Sequence, residues 1–145
     1  MMGQLVKAGS FASDVREMAA EAVRGAGSDG ERITRLNDYL TSHTEFLPDP
    51  FLAEALVPPL IAVDKIRATG VFQGDCDDVA VVTAALGLSI GLMARFVAVS
   101  FDGRGYGHVW TELASPNDGV WVTIDPTRPA QNVPTIVQRM LMDIE

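Results

Sequence analysis

The sequence predicts an α+β domain, with a helical first half followed by an antiparallel sheet. Three observations carry this. Up to about residue 86, helix formers and helically spaced apolar residues cluster between Gly and Pro breakers. Beyond Ala94, short runs rich in Val, Phe, Trp and Thr take over: "ARFVAVSF", "HVWTELA" and "VWVTIDP". The segments joining them, "DGRGYG" and "SPNDG", are turn chemistry, short enough to connect antiparallel neighbours.

The elements follow in order. Residues 13–24 ("SDVREMAAEAVR") are rich in helix formers and stop at Gly25 and Gly27. Ser28 and Glu31 stand three apart, as in a capping box. Ile33, Leu36 and Leu40 then mark one apolar helix face, and His43 falls in the last turn, where the helix dipole favours it. Asp49 caps a short helix with Pro50 at its first position, ended by Pro58 and Pro59. A second short helix is expected over 60–68. Gly70 and Gly74 bracket a loop into Cys76, and a helix follows over 77–86. After the three strands, a last helix is expected over 134–142.

The chain has 145 residues, enough for one domain with a proper core, and no internal repeat. It is 48% hydrophobic and 21% charged, the balance of a folded protein. A net charge of −8 and a sequence pI near 4.6 argue against duplex nucleic acid and anionic membrane surfaces as partners. The apolar run "VAVVTAALGLSIGLMARFVAV" contains Arg95 and follows directly on acids, so it reads as a buried helix and strand, not a membrane span. The start, "MMGQLVKAGS", lacks the apolar core of a secretory signal, so the expectation is cytoplasmic. The single cysteine cannot form an intramolecular disulfide.

That cysteine stands in an acidic knot, Gly74-Asp75-Cys76-Asp77-Asp78. Acids disfavour a thiolate, so either Cys76 is inert or something nearby offsets them. A loop-to-helix entry is one offset, because free N–H groups and the positive dipole end favour an anion there. His108 opens the second strand, and Asp125 closes the third. Antiparallel neighbours joined by a short turn put the start of one beside the end of the next, so His108 and Asp125 fall side by side. If the Cys76 helix packs on that sheet end, the three form thiol, base and orienting acid. Each residue alone has an ordinary reading: a small buried hydrophobe, a surface histidine and a turn aspartate.

Taken together, Gly74-Asp75-Cys76, Gly91 before Ala94-Arg95-Phe96-Val97, His108-Val109-Trp110, Trp121 and Asp125-Pro126-Thr127 resemble the transglutaminase-like superfamily. The resemblance covers about residues 70–128 of a single domain over 1–145. It implies a papain-like core, with Cys76 as nucleophile, His108 as base and acid, and Asp125 as orienter. It implies attack on a peptide or side-chain amide through a thioester, most simply by a cysteine peptidase of the bacterial or phage stand-alone type. The partner on this reading is a protein or peptide substrate, and a phage origin would make a virion or the host cytoplasm the setting. The competing reading is a non-catalytic structural or assembly module, for example of a phage particle or a larger complex.

The oxyanion donors on this reading are the Cys76 N–H and the Gln73 side chain, although Gln73 also reads as a solvated loop residue. No cofactor is required. In some relatives acids flanking the cysteine bind calcium; Asp75 and Asp77 match those positions, with Asp78 and Asp102 as further oxygen donors. Helix capping is the favoured alternative for Asp77 and Asp78. Trp110 and Trp121 read as packing partners on adjacent strands, or as a wall of the acyl slot. Arg95 either neutralises one of the acids or ends the helix–strand turn. Tyr106, among glycines, is placed at the tip of a flap.

Overall fold

The helices form over the apolar-patterned segments that Gly and Pro separate. The computed structural model describes residues 2–10, 12–47, 57–100, 103, 107–126, 136 and 138–144. Helix α1 (Met2–Ser10) buries Val6, and α2 (Ser13–Ala22) buries Val15, Met18 and Ala19. Helix α3 (Asp29–His43) is capped by Ser28, whose hydroxyl accepts the Glu31 N–H at 3.2 Å. The Glu31 carboxylate returns to accept the Gly27 N–H at 3.0 Å. Ile33, Leu36 and Leu40 are the buried face, as their spacing predicts.

Strand β1 (Thr44–Phe46) continues directly from α3. Helix α4 (Pro59–Thr69) starts with proline, which has no N–H to lose there, and ends at Gly70 in the left-handed conformation (φ 84°). The Gly70 N–H donates to the Ile66 carbonyl at 2.7 Å. Strand β2 (Phe72–Gly74) pairs in parallel with β1. Helix α5 (Cys76–Ser89) follows, then β3 (Met93–Ser100), β4 (His108–Ala114), β5 (Val122–Ile124) and β6 (Gln138–Asp143). These last four form one antiparallel sheet in the order β5-β4-β3-β6.

Helix α5 is buried from Asp78 to Gly87 and is the axis of the core. Its apolar residues face helices on one side and the sheet on the other, so it reads as apolar all round. The buried Thr111 hydroxyl ties sheet to helix by donating to the Ala80 carbonyl at 2.7 Å. At Gly87 the two layers nearly touch: a Cβ there would lie 2.6 Å from Leu113 Cδ2. Phe96, Val109, Leu113 and Ile124 belong to this core. On the opposite sheet face, Val97, Val99 and Trp110 form a second small cluster with Ile136.

Two expectations are corrected. The loop over 70–74 contains a strand, β2, paired with β1. The expected C-terminal helix is instead β6 over its described part. The reason for the last is sheet pairing. Strand β3 is buried through most of its length, and β6 satisfies the backbone groups on the side that β4 leaves open. That demand outweighs the helix propensity of "QRMLM". The Asp49–Pro50 helix start, Asp102 and Tyr106 lie outside the described residues. Among the described residues no helix is long and apolar enough to cross a membrane.

Candidate active site

Cys76 is the first residue of α5, and the acids around it have structural work. The Asp75 carboxylate accepts the Asp78 N–H at 3.1 Å, and Asp78 Oδ2 accepts the Asp75 N–H at 3.3 Å. This is a reciprocal capping box around the cysteine. Asp78 Oδ1 also accepts the Val57 N–H at 2.9 Å, tying the helix start to the segment that enters α4. Burial pushes the Asp78 carboxyl above the usual range; the Val57 N–H opposes this and the neighbouring Asp75 adds to it. Asp77 Oδ1 lies 4.0 Å from Cys76 Sγ, within reach of an S–H donor.

His108 is the first residue of β4, opposite Val99, and Asp125 directly follows β5. Since β4 and β5 are hydrogen-bonded neighbours with Thr111 opposite Ile124, the two side chains meet at one end of the sheet. His108 Nε2 lies 2.7 Å from Asp125 Oδ2, with the side chains 6% and 11% exposed. Burial alone would lower the imidazole's pKa. Hydrogen bonding to Asp125 and to Cys76 more than reverses that, and the value is pushed up to about 9. Because Nε2 faces Asp125, the interaction with the Cys76 sulfur falls to Nδ1. Cys76, His108, Asp75 and Asp77 line one cleft of about 350 Å³, together with Met2 and Met142. Thiol, imidazole and carboxylate are thus brought together from three separate elements.

The other expected residues fall as follows. Gln73 is exposed on β2 and lines a different groove of about 530 Å³, alongside Glu45 and Lys65, so the structure does not bring it into the Cys76 cleft. The Cys76 N–H, at the first position of a helix, has no intrahelical acceptor. Asp75 and Asp77 share the cleft, but Asp75 serves as the helix cap. Among the described residues no group of three or more acids, histidines or cysteines could hold a metal ion.

Arg95 neither reaches the acidic knot nor ends the turn. It lies within β3 and donates to Glu112 on β4 through Nε at 2.9 Å and Nη2 at 2.7 Å. Its guanidinium also covers the Trp121 ring at 4.2 Å. Trp110 is buried beside the His108 ring, centroids 5.9 Å apart. His43 ends α3, stacked on Tyr39 with Nδ1 2.7 Å from the Tyr39 carbonyl oxygen, as a helix-end histidine should be. The sequence reading passed over Glu112. The available signal was an acid at alternate spacing with His108 and Trp110 in a strand otherwise suited to burial.

Residues 16–126 match the family model of the transglutaminase-like superfamily. No curated protein matches the chain. Among solved structures, a "putative cysteine protease" from Cytophaga hutchinsonii superposes with a TM-score of 0.61 at 17% identity, covering 96% of this chain and 45% of that one. A "putative protease" from Parabacteroides distasonis superposes with a TM-score of 0.65 at 11% identity, covering 99% of this chain and 30% of that one. At such identities the likeness is one of fold. The chain spans less than half the length of either.

Proposed function

Because the chain belongs to the transglutaminase-like superfamily, we propose that it is a thiol-dependent amide hydrolase of cysteine-peptidase type, acting on a protein or peptide. The observation that carries this is the 2.7 Å pairing of His108 with Asp125 at the cleft that holds Cys76. An imidazole whose pKa is raised to about 9 is cationic at neutral pH, the partner a thiolate needs.

The chemistry runs in two halves. Cys76 Sγ attacks the amide carbonyl carbon, and the oxyanion is met by the Cys76 N–H. His108 Nδ1 gives its proton to the amide nitrogen, the C–N bond breaks, and the amine leaves a thioester behind. Water then attacks the thioester while His108 takes its proton. The S–C bond breaks, the acid leaves, and the thiolate–imidazolium pair is restored. Asp125 holds the ring through Nε2 and stabilises its charge throughout. An amine in place of water would make the same site an acyltransferase.

The test is the iodoacetamide rate at Cys76 between pH 5 and 9, with calcium and with chelator, in wild type and His108→Ala. Reaction well below the ordinary thiol pKa of about 8.5, lost in His108→Ala, supports the proposal. A slow rate with an ordinary titration, unchanged in His108→Ala, refutes it and leaves a non-catalytic module of the same fold. A rate that falls on chelation would return the acidic knot to metal binding.

A further inference from the structure

The sheet face turned away from α5 carries a buried charge that the chemistry above leaves unused. Glu112 is 6% exposed. Its Oε1 accepts both Arg95 hydrogen bonds across the β3–β4 pair, where the two residues are register partners. Its Oε2 accepts the Thr123 hydroxyl at 3.2 Å from the register partner on β5, and the Trp110 Nε1–H at 3.5 Å from two residues up its own strand. One carboxylate therefore joins three strands.

Two of those links run towards the candidate active site. The Trp110 ring rests against the His108 ring, tilted by 59°. Thr123 stands two residues before Asp125, in the strand that leads directly into it. A buried carboxylate satisfied by several donors has few alternative arrangements, because losing any partner strands a polar group in low dielectric. We propose that Glu112 is a positioning residue for His108 and Asp125: it fixes the tryptophan that backs the imidazole and the strand that delivers the acid. This rests on the thiol chemistry proposed above.

Several charged and titratable groups stand around this line among the described residues. Cys76 and Asp125 act directly on His108, with Asp75 and Asp77 at the start of α5 sharing its cleft. The Arg139 guanidinium of β6 stands 6.0 Å from the Trp110 ring centroid, and Asp143 lies opposite Arg95 in register. Replacing Glu112 with Gln removes one negative charge from the strand that carries His108, which disfavours the cation there.

The chain has two histidines, so the His108 resonance can be assigned with a His43→Gln control. The experiment follows the His108 titration by NMR, the iodoacetamide rate at pH 6.5 and the melting temperature. It compares wild type, Glu112→Gln, Trp110→Phe and the double variant. Glu112→Gln is expected to lower the His108 midpoint by roughly half a unit or more and to slow alkylation severalfold while the protein remains folded. Trp110→Phe keeps a ring but removes the N–H and should also slow alkylation. The double variant should be no slower than the slower single one, because both act through one link.

A Glu112→Gln protein that melts lower but keeps the wild-type midpoint and rate overturns the proposal, as do single effects that simply multiply. If Glu112→Gln does not fold, Trp110→Phe and Thr123→Val, which leave the Arg95–Glu112 pair in place, carry the test: unchanged rates in both overturn it. A wild-type midpoint near 6.5 with a slow thiol would take down the thiol chemistry and this inference together. A raised wild-type midpoint, unmoved in Glu112→Gln, takes down only this one.

Discussion

The His108 imidazole and the Asp125 carboxylate stand 2.7 Å apart, 17 residues removed along the chain, at one end of the β4–β5 pair. The contact is nearly buried on both sides and leaves the Nδ1 edge of the ring for Cys76. A short, sheltered contact of this kind fixes the ring's tautomer and favours its cation.

Asp125→Asn keeps the shape of that contact and removes its charge. The expected result is a fall of roughly 10- to 100-fold in Cys76 alkylation at pH 6.5, with the secondary structure retained. Stopped-flow alkylation with circular dichroism on the same samples checks it. A wild-type rate in Asp125→Asn would remove Asp125 from the chemistry.

The same pair predicts how stability changes with pH. The folded pKa of His108, about 9, lies above the ordinary value of 6.5, so the folded state holds this proton more tightly. The stabilisation is fully present below about pH 6.5 and is lost as pH rises through about 9. Its size is on the order of 3 kcal/mol. Urea melts at pH 6 and pH 9.5 should show wild type losing more stability over this range than Asp125→Asn. Equal losses would contradict the raised pKa.

Asp78→Ala strands the N–H groups of Val57 and Asp75 and dismantles the cap of α5. A loss of roughly 1–3 kcal/mol at pH 7 is expected in chemical denaturation. The alkylation rate should fall as well, since the thiol sits on the turn that the cap orders. A variant as stable as wild type would show that the cap is dispensable.

Gly74 sits two residues before the thiol, where a Cβ would lie 2.9 Å from Phe72 Cζ and 3.0 Å from Asp78 Cβ. Both neighbours are buried, so neither has room to yield. Gly74→Ala should cost roughly 1–3 kcal/mol and displace the start of α5. Gly3→Ala in α1 meets nothing within 4 Å and should be neutral or slightly stabilising. Thermal melts of the two variants side by side decide it; equal melting temperatures would mean that the Gly74 contact relaxes freely.

What the sequence determined by itself are features whose causes are local. Ser28 and Glu31 announce the start of α3, Ile33, Leu36 and Leu40 its buried face, and the β-branched and aromatic runs the strands β3, β4 and β5. The placing of Cys76, His108 and Asp125 at a helix start, a strand start and a strand end was legible for the same reason, since chain order and short turns constrain antiparallel neighbours. Tertiary structure decided whatever depends on a partner far along the chain. Residues 138–143 become a strand because β3 needs a second neighbour, and β2 forms because β1 lies alongside it. Gln73 faces another groove because alternation along β2 buries Phe72 and Gly74 and turns the residue between them outward. Arg95 finds Glu112 and not the acidic knot because the β3–β4 register sets them opposite each other. That register is settled by side chains packing over the whole sheet, which no short window of sequence contains.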